Sequence, residues 1–447
     1  MAVVRVLSFN IAIGGESVDL GQVVEAIRAS GADVAGLQEC EGNAPRIASL
    51  LGWAHVDERH QIVSRWPIVE PHDAAGRYVY VHVEPERVFA FANVHLPSDP
   101  YGPYELRDGC TLDDVLTLER DLRGAALAPW LDAWRRVIAD AVPLLVTGDF
   151  NAPSHRDWGD AATCHRQRSI AWPVSISMET AGLADAYRCA EPLRPGITWT
   201  YGFPHPRVGD DELTERIDYV WVSHDIGIIA ADLVGPDGVP DVTVAVDRWP
   251  SDHLGVAATV DVDAVAPRPF VGVLQHRVEL GGTIPVRYAA PLGAAADRIS
   301  LVPHGAGVAL ARATLSPREV EYCGVVHFGT GGLEPGVFDV VLTSREHEIA
   351  RASVHVVAPG ALPCVVAERL GADVVVTWTD APGRKYDWVG LYGIGDPDVE
   401  HGVRQHAHTG ATVVGRHVFH DVEPGPLTVR LMHDDSFAIA AEHHLRS

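Results

Sequence analysis

The stretch "LLVTGDFNAPS", residues 144–154, runs from apolar residues into Gly148, Asp149, Phe150 and Asn151, and then into a proline turn. Residues i and i+2 of an extended chain point to one face, so this spacing predicts that Asp149 and Asn151 aim together. "PLLV", 143–146, reads as a strand covered on both faces. The C-terminal tips of such strands are where α/β sheets place their chemistry. Gly148 permits the backbone to bend or to pack closely. An Asx turn, in which Asp149 bonds its own backbone two residues on, accounts for the same residues without any chemistry. Both readings stand until the rest of the chain is considered.

The chain has 447 residues, too many for one core, which predicts roughly two or three domains. Hydrophobic residues make up 47% of it, as expected for a soluble globular protein, and no apolar run is long enough for a membrane span. The opening "AVVRVLSFNI" alternates like a strand and lacks the layout of a signal peptide, which predicts a cytoplasmic location. The formal net charge is −25 and no basic stripe is visible, which argues against long nucleic acid as the partner. Such acidity suits a site that collects divalent cations. The six cysteines are scattered with no CxxC pair, so zinc-finger and redox readings are unsupported, and reduced thiols are expected.

Two regimes follow one another. Up to about residue 262, strands such as "VVRVLSFNIAI", "ADVAGLQE" and "RVFAFANVHL" alternate with helical spacing in "DLGQVVEAIRAS" and "LDDVLTLERDLRGAALAPWLDAWRRVIAD", the latter with a break expected at Pro129. After the linker-like "DAVAPRPF" the chain reads as all-β. "GTIPVRYAAPLGAAADRISLV" at 282–302 resembles "ADVVVTWTDAPGRKYDWVGLY" at 372–392, and "LEPGVFDVVLTS" at 333–344 resembles "VEPGPLTVRLMH" at 422–433. The offset of about 90 residues is the length of a small β-sandwich. The expected domains are therefore 1–263 (α/β), 268–358 and 362–447 (tandem β-sandwiches). In "YDWVGLYGIGD", Trp388 and Tyr392 are expected to fill a sandwich core.

Several other strands of the first domain end as "GDFN" does. Asn10 closes "LSFN", Glu39 follows "DVAGLQ", Asn93 and His95 stand two apart in "FANVHL", Asp218 lies in "RIDYVWV", and Asp252 and His253 precede a closing strand. Each has a plain explanation alone: a turn, a solvated end, a satisfied core histidine, a surface pair of Asp218 with Arg216, or a helix cap. Together they form an oxygen-rich set with two histidines, which suits a hard cation such as Mg²⁺ or Mn²⁺. No HExxH, P-loop or GxSxG elbow is present. The set fits metal-assisted attack of water on a phosphate ester.

In chain order, "LSFNI", "LQE", "VSRWPI", "NVHL", "GDFN", "RIDYV" and "SDHLGV" resemble the endonuclease/exonuclease/phosphatase superfamily over residues 3 to about 260. The resemblance implies a four-layer α/β sandwich of two mixed sheets flanked by helices. It also implies roles. Asn10, Glu39 and Asp252 correspond to metal-site residues, Glu39 binding directly. Asp149 corresponds to the carboxylate that activates water and Asn151 to the amide that positions water and phosphate. His253 corresponds to the histidine on the scissile phosphate, oriented by Asp218, and His95 to a general acid for the leaving oxygen. The abasic-site branch carries tyrosine at that last position, so this chain departs from it.

Two stretches lie outside these motifs. "PSDPYGPYELRDG", 97–109, offers Tyr101, Tyr104 and Arg107 for a base or sugar face and a second phosphate, or else is a turn with surface tyrosines. "NAPSHRDWGDAATCHRQRSIAWPVS", 151–175, offers His155 and resembles "PSHxDW" segments of bacterial members. Its His165, Arg166 and Arg168 add further cationic candidates. The expected activity is a Mg²⁺- or Mn²⁺-dependent phosphoesterase on a small or lipid-like phosphodiester or phosphomonoester. The competing readings are a nuclease, and an inactive binding protein working through its β-sandwiches.

Overall fold

Side-chain alternation along the strands sets the layers of the first region. The computed structural model describes residues 2–15, 19–71, 74, 76–84, 87–158, 169–200, 213–267, 269–289, 297–314, 323–344, 346–384, 386–396, 402–433 and 436–446. It separates into two compact units, 1–267 and 268–447. In the first unit, Val79, Val81, Phe89, Phe91 and Leu145 point inward from a six-stranded sheet, while Tyr80, Val88, Ala90, Leu144 and Val146 point outward. The inner row packs on a seven-stranded sheet. The outer row packs on the helices Ala125–Ala139 and Pro173–Thr180 through Leu127, Leu131, Trp134 and Met178. Helices Leu20–Ser30 and Ala44–Leu51 cover the far side of the seven-stranded sheet through Val23, Ile27 and Ile47. The result is the four-layer α/β sandwich.

The seven-stranded sheet runs Val242–Ala245, Gly227–Gly235, Gly255–Val262, Ala2–Asn10, Val34–Gln38, Ile62–Ser64, His55–Asp57. The six-stranded sheet runs Ile68–Val69, Val79–Glu84, Arg87–His95, Leu144–Asp149, Asp218–Ser223, Leu183–Asp185. Both are mixed: Ala2–Asn10 is parallel to Val34–Gln38 but antiparallel to Gly255–Val262. Gly36 lets the sheets meet, because a Cβ there would overlap Thr147 Oγ1 and Asn93 Oδ1 on the opposite sheet. Asn93 is fully engaged at this seam, donating to the carbonyls of Leu37 and His60 and accepting from Gln38 and Thr147. It is a structural tie between sheets.

The helix Leu20–Ser30 starts at Asp19, whose side chain accepts from the Gln22 amide, and ends at Gly31 in the left-handed region. Residues 112–140 do not break at Pro129. That proline sits inside the helix Ala125–Ala139, and the irregularity appears earlier, as a π-helical turn over Arg120–Gly124. A proline removes the amide that would bond residue i−4 and crowds that carbonyl. Here residue i−4 is Ala125, at the junction with the wide turn, so the helix absorbs the defect there and carries on. Among the described residues, no helix is long and apolar enough to cross a membrane.

The second unit holds two small β-sandwiches. One pairs a three-stranded sheet (Phe270–Val273, Thr283–Ala289, Cys323–Gly329) with a five-stranded sheet that includes Arg298–Pro303, Gly336–Ser344 and His347–Val357. The other pairs Cys364–Leu370, Asp373–Thr379 and Gly415–Phe419 with a four-stranded sheet that includes Trp388–Gly393 and Leu427–Met432. Trp388 and Tyr392 do not fill the core between these last sheets. Val389 and Leu391 do so, with Val429 and Leu431. Trp388, Tyr392 and Met432 take the opposite pleat and form a separate buried cluster, so this strand is buried on both faces. Cys40 is buried and Cys110, Cys189 and Cys364 are exposed, all as free thiols.

Candidate active site

Strand register brings the polar ends together. His95 pairs with Asp149 across a parallel ladder, and Asp218 pairs with Asp149 across an antiparallel one. Asn10 stands beside Gln38 on the other sheet, with Glu39 the next residue. The loop carrying His253 returns to the same end: Ser251 Oγ donates to the Asn10 carbonyl at 2.6 Å and accepts from the His253 amide at 3.0 Å. Six separated segments thus deliver side chains to one place.

Asp149 is its centre. Oδ1 accepts the Asn151 amide at 2.9 Å, which is the Asx turn. Oδ2 faces the site: Asn10 Nδ2 lies 3.0 Å away, His95 Nε2 3.6 Å and His253 Nε2 3.8 Å. The turn and the contacts that face the site therefore belong to the two oxygens of one carboxylate. Asn151 is not placed by strand alternation. The strand stops at Asp149, Asn151 has a φ of 47°, and its Nδ2 donates to the Leu96 carbonyl at 3.0 Å. Glu39 is likewise left-handed at φ 53°. Residues other than glycine held there cost stability and cluster at functional sites.

Asn10 Nδ2 also donates to Glu39 Oε1 at 3.0 Å, so one amide bridges two carboxylates, while its Oδ1 accepts from the Ala12 amide. Burial opposes ionisation of Glu39, but the bonds from Asn10 and the Ile13 amide, with His95 and His253 nearby, hold its carboxyl below the ordinary value. His253 Nδ1 is 2.9 Å from Asp218 Oδ2. Burial disfavours the imidazolium, yet Asp218 and Asp149 outweigh it and push the group up to about 10. Burial, helped by Asp149, raises Asp218 to about 6. Thr198 Oγ1 accepts from the amides of Ile217 and Asp218 and fixes that turn. Asp252 is exposed and acts on His253 electrostatically.

Among the described residues, Asp149, Asp218 and His253 are one group whose ligand atoms all lie within 4.8 Å of one another. The donor set fits a hard divalent cation: Asp149 and Asp218 stand together, Asn10 ties Glu39 to Asp149, and Asp218 Oδ1 is buried with no hydrogen-bond partner.

Tyr101 is buried, Tyr104 half-buried and Arg107 exposed. The first two join the site through Trp199, whose ring lies 6.2 Å from Tyr101, 6.4 Å from Tyr104 and 6.2 Å from His253. Trp199 escapes sequence reasoning because its strand, Trp199–Thr200, is too short to show a period. His155 is not brought to the cluster. Its Nδ1 lies 2.9 Å from Ser175 Oγ and its Nε2 3.5 Å from Glu179. "PSHRDW" owes its aspartate to packing: Asp157 bonds both Arg188 and Arg216 in the interior. Arg216 thereby pairs with Asp157 and Asp185 rather than with Asp218. His165, Arg166 and Arg168 lie outside the described residues.

The sequence profile of the endonuclease/exonuclease/phosphatase family matches residues 7–253, which spans every strand-end residue just described. The chain belongs to this family. Its members are hydrolases acting on phosphoesters, generally with a divalent metal. An uncharacterized protein of Caenorhabditis elegans is 27% identical over 296 residues, covering 57% of this chain and 90% of that protein. Among solved structures, the mannosyl-6-phosphatase Bt3783 of Bacteroides thetaiotaomicron is 17% identical, covering 58% of this chain and all of that one (100%), with a TM-score of 0.36. D. rerio TDP2, complexed with a single-strand DNA product, is 14% identical over 59% of this chain and 100% of its own, with a TM-score of 0.35.

Proposed function

We propose that this endonuclease/exonuclease/phosphatase family member is a divalent-metal-dependent phosphoesterase acting on a small-molecule or lipid-like phosphodiester or phosphomonoester. The observation that carries the reading is the convergence of Asn10, His95 and His253 on Asp149 Oδ2. Glu39, with Asn10 orienting it and Asp252 at the rim, would hold Mg²⁺ or Mn²⁺, and Asp149 and Asp218 add negative charge to the same end. When bound, the ion neutralises phosphoryl charge and polarises the ester.

The protein's own groups supply the rest. Asp149 Oδ2 accepts a proton from the attacking water, with Oδ1 anchored by the Asn151 amide. Asn151, held on Leu96 by one amide hydrogen, has a second for water or a phosphate oxygen. His253 is kept as an imidazolium by Asp218 and places positive charge against the phosphate. His95, at the open edge, donates a proton to the departing oxygen. The net charge of −25 supports small substrates over long nucleic acid.

The test is a phosphoester screen with Mg²⁺ and Mn²⁺ using bis-p-nitrophenyl phosphate, p-nitrophenyl phosphate and plasmid DNA, with Asp149→Asn and His253→Ala as blanks. Turnover of a small ester that both blanks abolish supports the reading. Cleavage of DNA alone makes the protein a nuclease, and turnover of nothing across a metal panel makes it a binding protein.

A further inference from the structure

The segment after His95 is pinned from beneath by a buried ion pair. Arg123 Nη1 lies 2.7 Å from Glu119 Oε1, and both side chains are sealed from solvent. Arg123 Nη2 donates to the carbonyls of Ser98 at 2.6 Å and Pro100 at 3.0 Å, and Glu119 Oε1 accepts the Gly102 amide at 3.1 Å. The π-helical turn Arg120–Gly124 supplies the arginine. An interior ion pair is costly unless its remaining hydrogen-bonding capacity is used; here Arg123 Nη2 and Glu119 Oε1 spend theirs on the loop backbone, while Arg123 Nε and Glu119 Oε2 stay buried without a partner.

The pinned segment lays its rings in sequence toward the catalytic histidine. Tyr101 meets Tyr104 edge to face at 5.2 Å, both meet Trp199, and Trp199 inclines at 38° to the His253 ring. Tyr101 is the buried floor, whereas Tyr104 and Trp199 keep part of their surface open. Arg107 stacks on Tyr104 at 4.4 Å and directs its fork to Asp108 at 2.8 and 3.2 Å. That exposed pair leaves the arginine over one part of Tyr104, so the ring surface open at the rim is the rest of Tyr104 together with Trp199.

Resting on the phosphoesterase reading, we propose that Tyr104 and Trp199 are specificity residues. They receive a flat, uncharged ring on the alcohol that stays esterified while the leaving group departs, so the substrate class is a diester of a ring-bearing alcohol. Aromatic side chains favour such partners edge-on or offset, beyond the gain from area alone.

The test compares three diesters with a common p-nitrophenolate leaving group: the phenyl, the thymidine 5′ and the methyl esters. The wild type is expected to prefer one or both ring esters over the methyl ester by at least about tenfold in kcat/KM. Tyr104→Ala and Trp199→Ala should each collapse that ratio toward one. The ratio is internal to each preparation, so a smaller folded fraction cancels. Preference for phenyl alone assigns an aryl substituent, and preference for thymidine a nucleoside. Equal use of all three by the wild type, or variants that keep the ratio, overturns the proposal. If the wild type hydrolyses none of the three diesters, the ester screen above, which includes a monoester, decides the enzymatic reading separately. Calorimetric binding of phenylphosphonate against methylphosphonate with Mn²⁺ then decides the ring site: tighter phenyl binding lost in Tyr104→Ala upholds it, and equal binding sinks it.

Discussion

His253 Nδ1 and Asp218 Oδ2 lie 2.9 Å apart in a place where both side chains are all but closed to water. The pair holds one proton across the neutral range, because the carboxylates of Asp218 and Asp149 raise the histidine against the opposing pull of burial. The folded value of about 10 lies above the ordinary 6.5, so the stabilisation is in full force below 6.5 and fades as pH climbs toward 10. NMR of the metal-free protein should show His253 still protonated at pH 8. In Asp218→Asn it should titrate at distinctly lower pH, and turnover should drop by about 10²–10⁴-fold. An unchanged titration would remove Asp218 from its orienting role.

Glu39→Gln tests the cation site. The amide keeps the shape but loses the charge that the Asn10 and Ile13 donors stabilise. The Mg²⁺ or Mn²⁺ concentration for half-maximal activity should rise by at least about tenfold, with excess metal restoring part of the rate. A metal titration that superimposes on the wild type would move the ion elsewhere.

Gly36→Ala probes the seam between the two sheets. The added methyl group meets Thr147 and Asn93, neither of which can retreat without giving up buried hydrogen bonds. Thermal or urea unfolding should register a loss of about 1–3 kcal/mol or more. Wild-type stability would mean the sheets can part locally at no cost.

Asp339 in the first sandwich accepts from Ser353, His304 and Arg351. Burial would raise its carboxyl, but these donors win and lower it. A depressed value contributes stability above the unfolded value near 3.9 that disappears as pH falls through the folded one. Asp339→Asn should therefore destabilise the second unit at pH 7 by about 1.5–3 kcal/mol and remove the steepest part of its acid sensitivity. Melting curves from pH 2 to 7 read both effects.

The strand-end residues were legible because register does the gathering. His95, Asp149 and Asp218 stand side by side on adjacent strands, so motifs that end strands must meet. Asn151 joins them by a turn, since a left-handed residue breaks the alternation that the i, i+2 rule relies on. Trp199 left no trace because two strand residues cannot display a period. Pro129 misled because the wide turn immediately before its helix relieves it, and such a turn leaves no periodicity to read in the sequence. Trp388 and Tyr392 misled because apolar residues on both parities hide which face meets the partner sheet.

That last strand, Trp388–Gly393, has a consequence for how its sheet finds its alignment. A slip by one residue normally exposes greasy side chains and buries polar ones, and water rejects it. Here a slip would trade one oily row for another, so solvent is a poor judge. Shape must arbitrate instead, through the flanking strands: Trp388 meets His406 edge to face at 5.9 Å and Arg430 lies over Tyr392 at 4.4 Å, fits that a slip would undo.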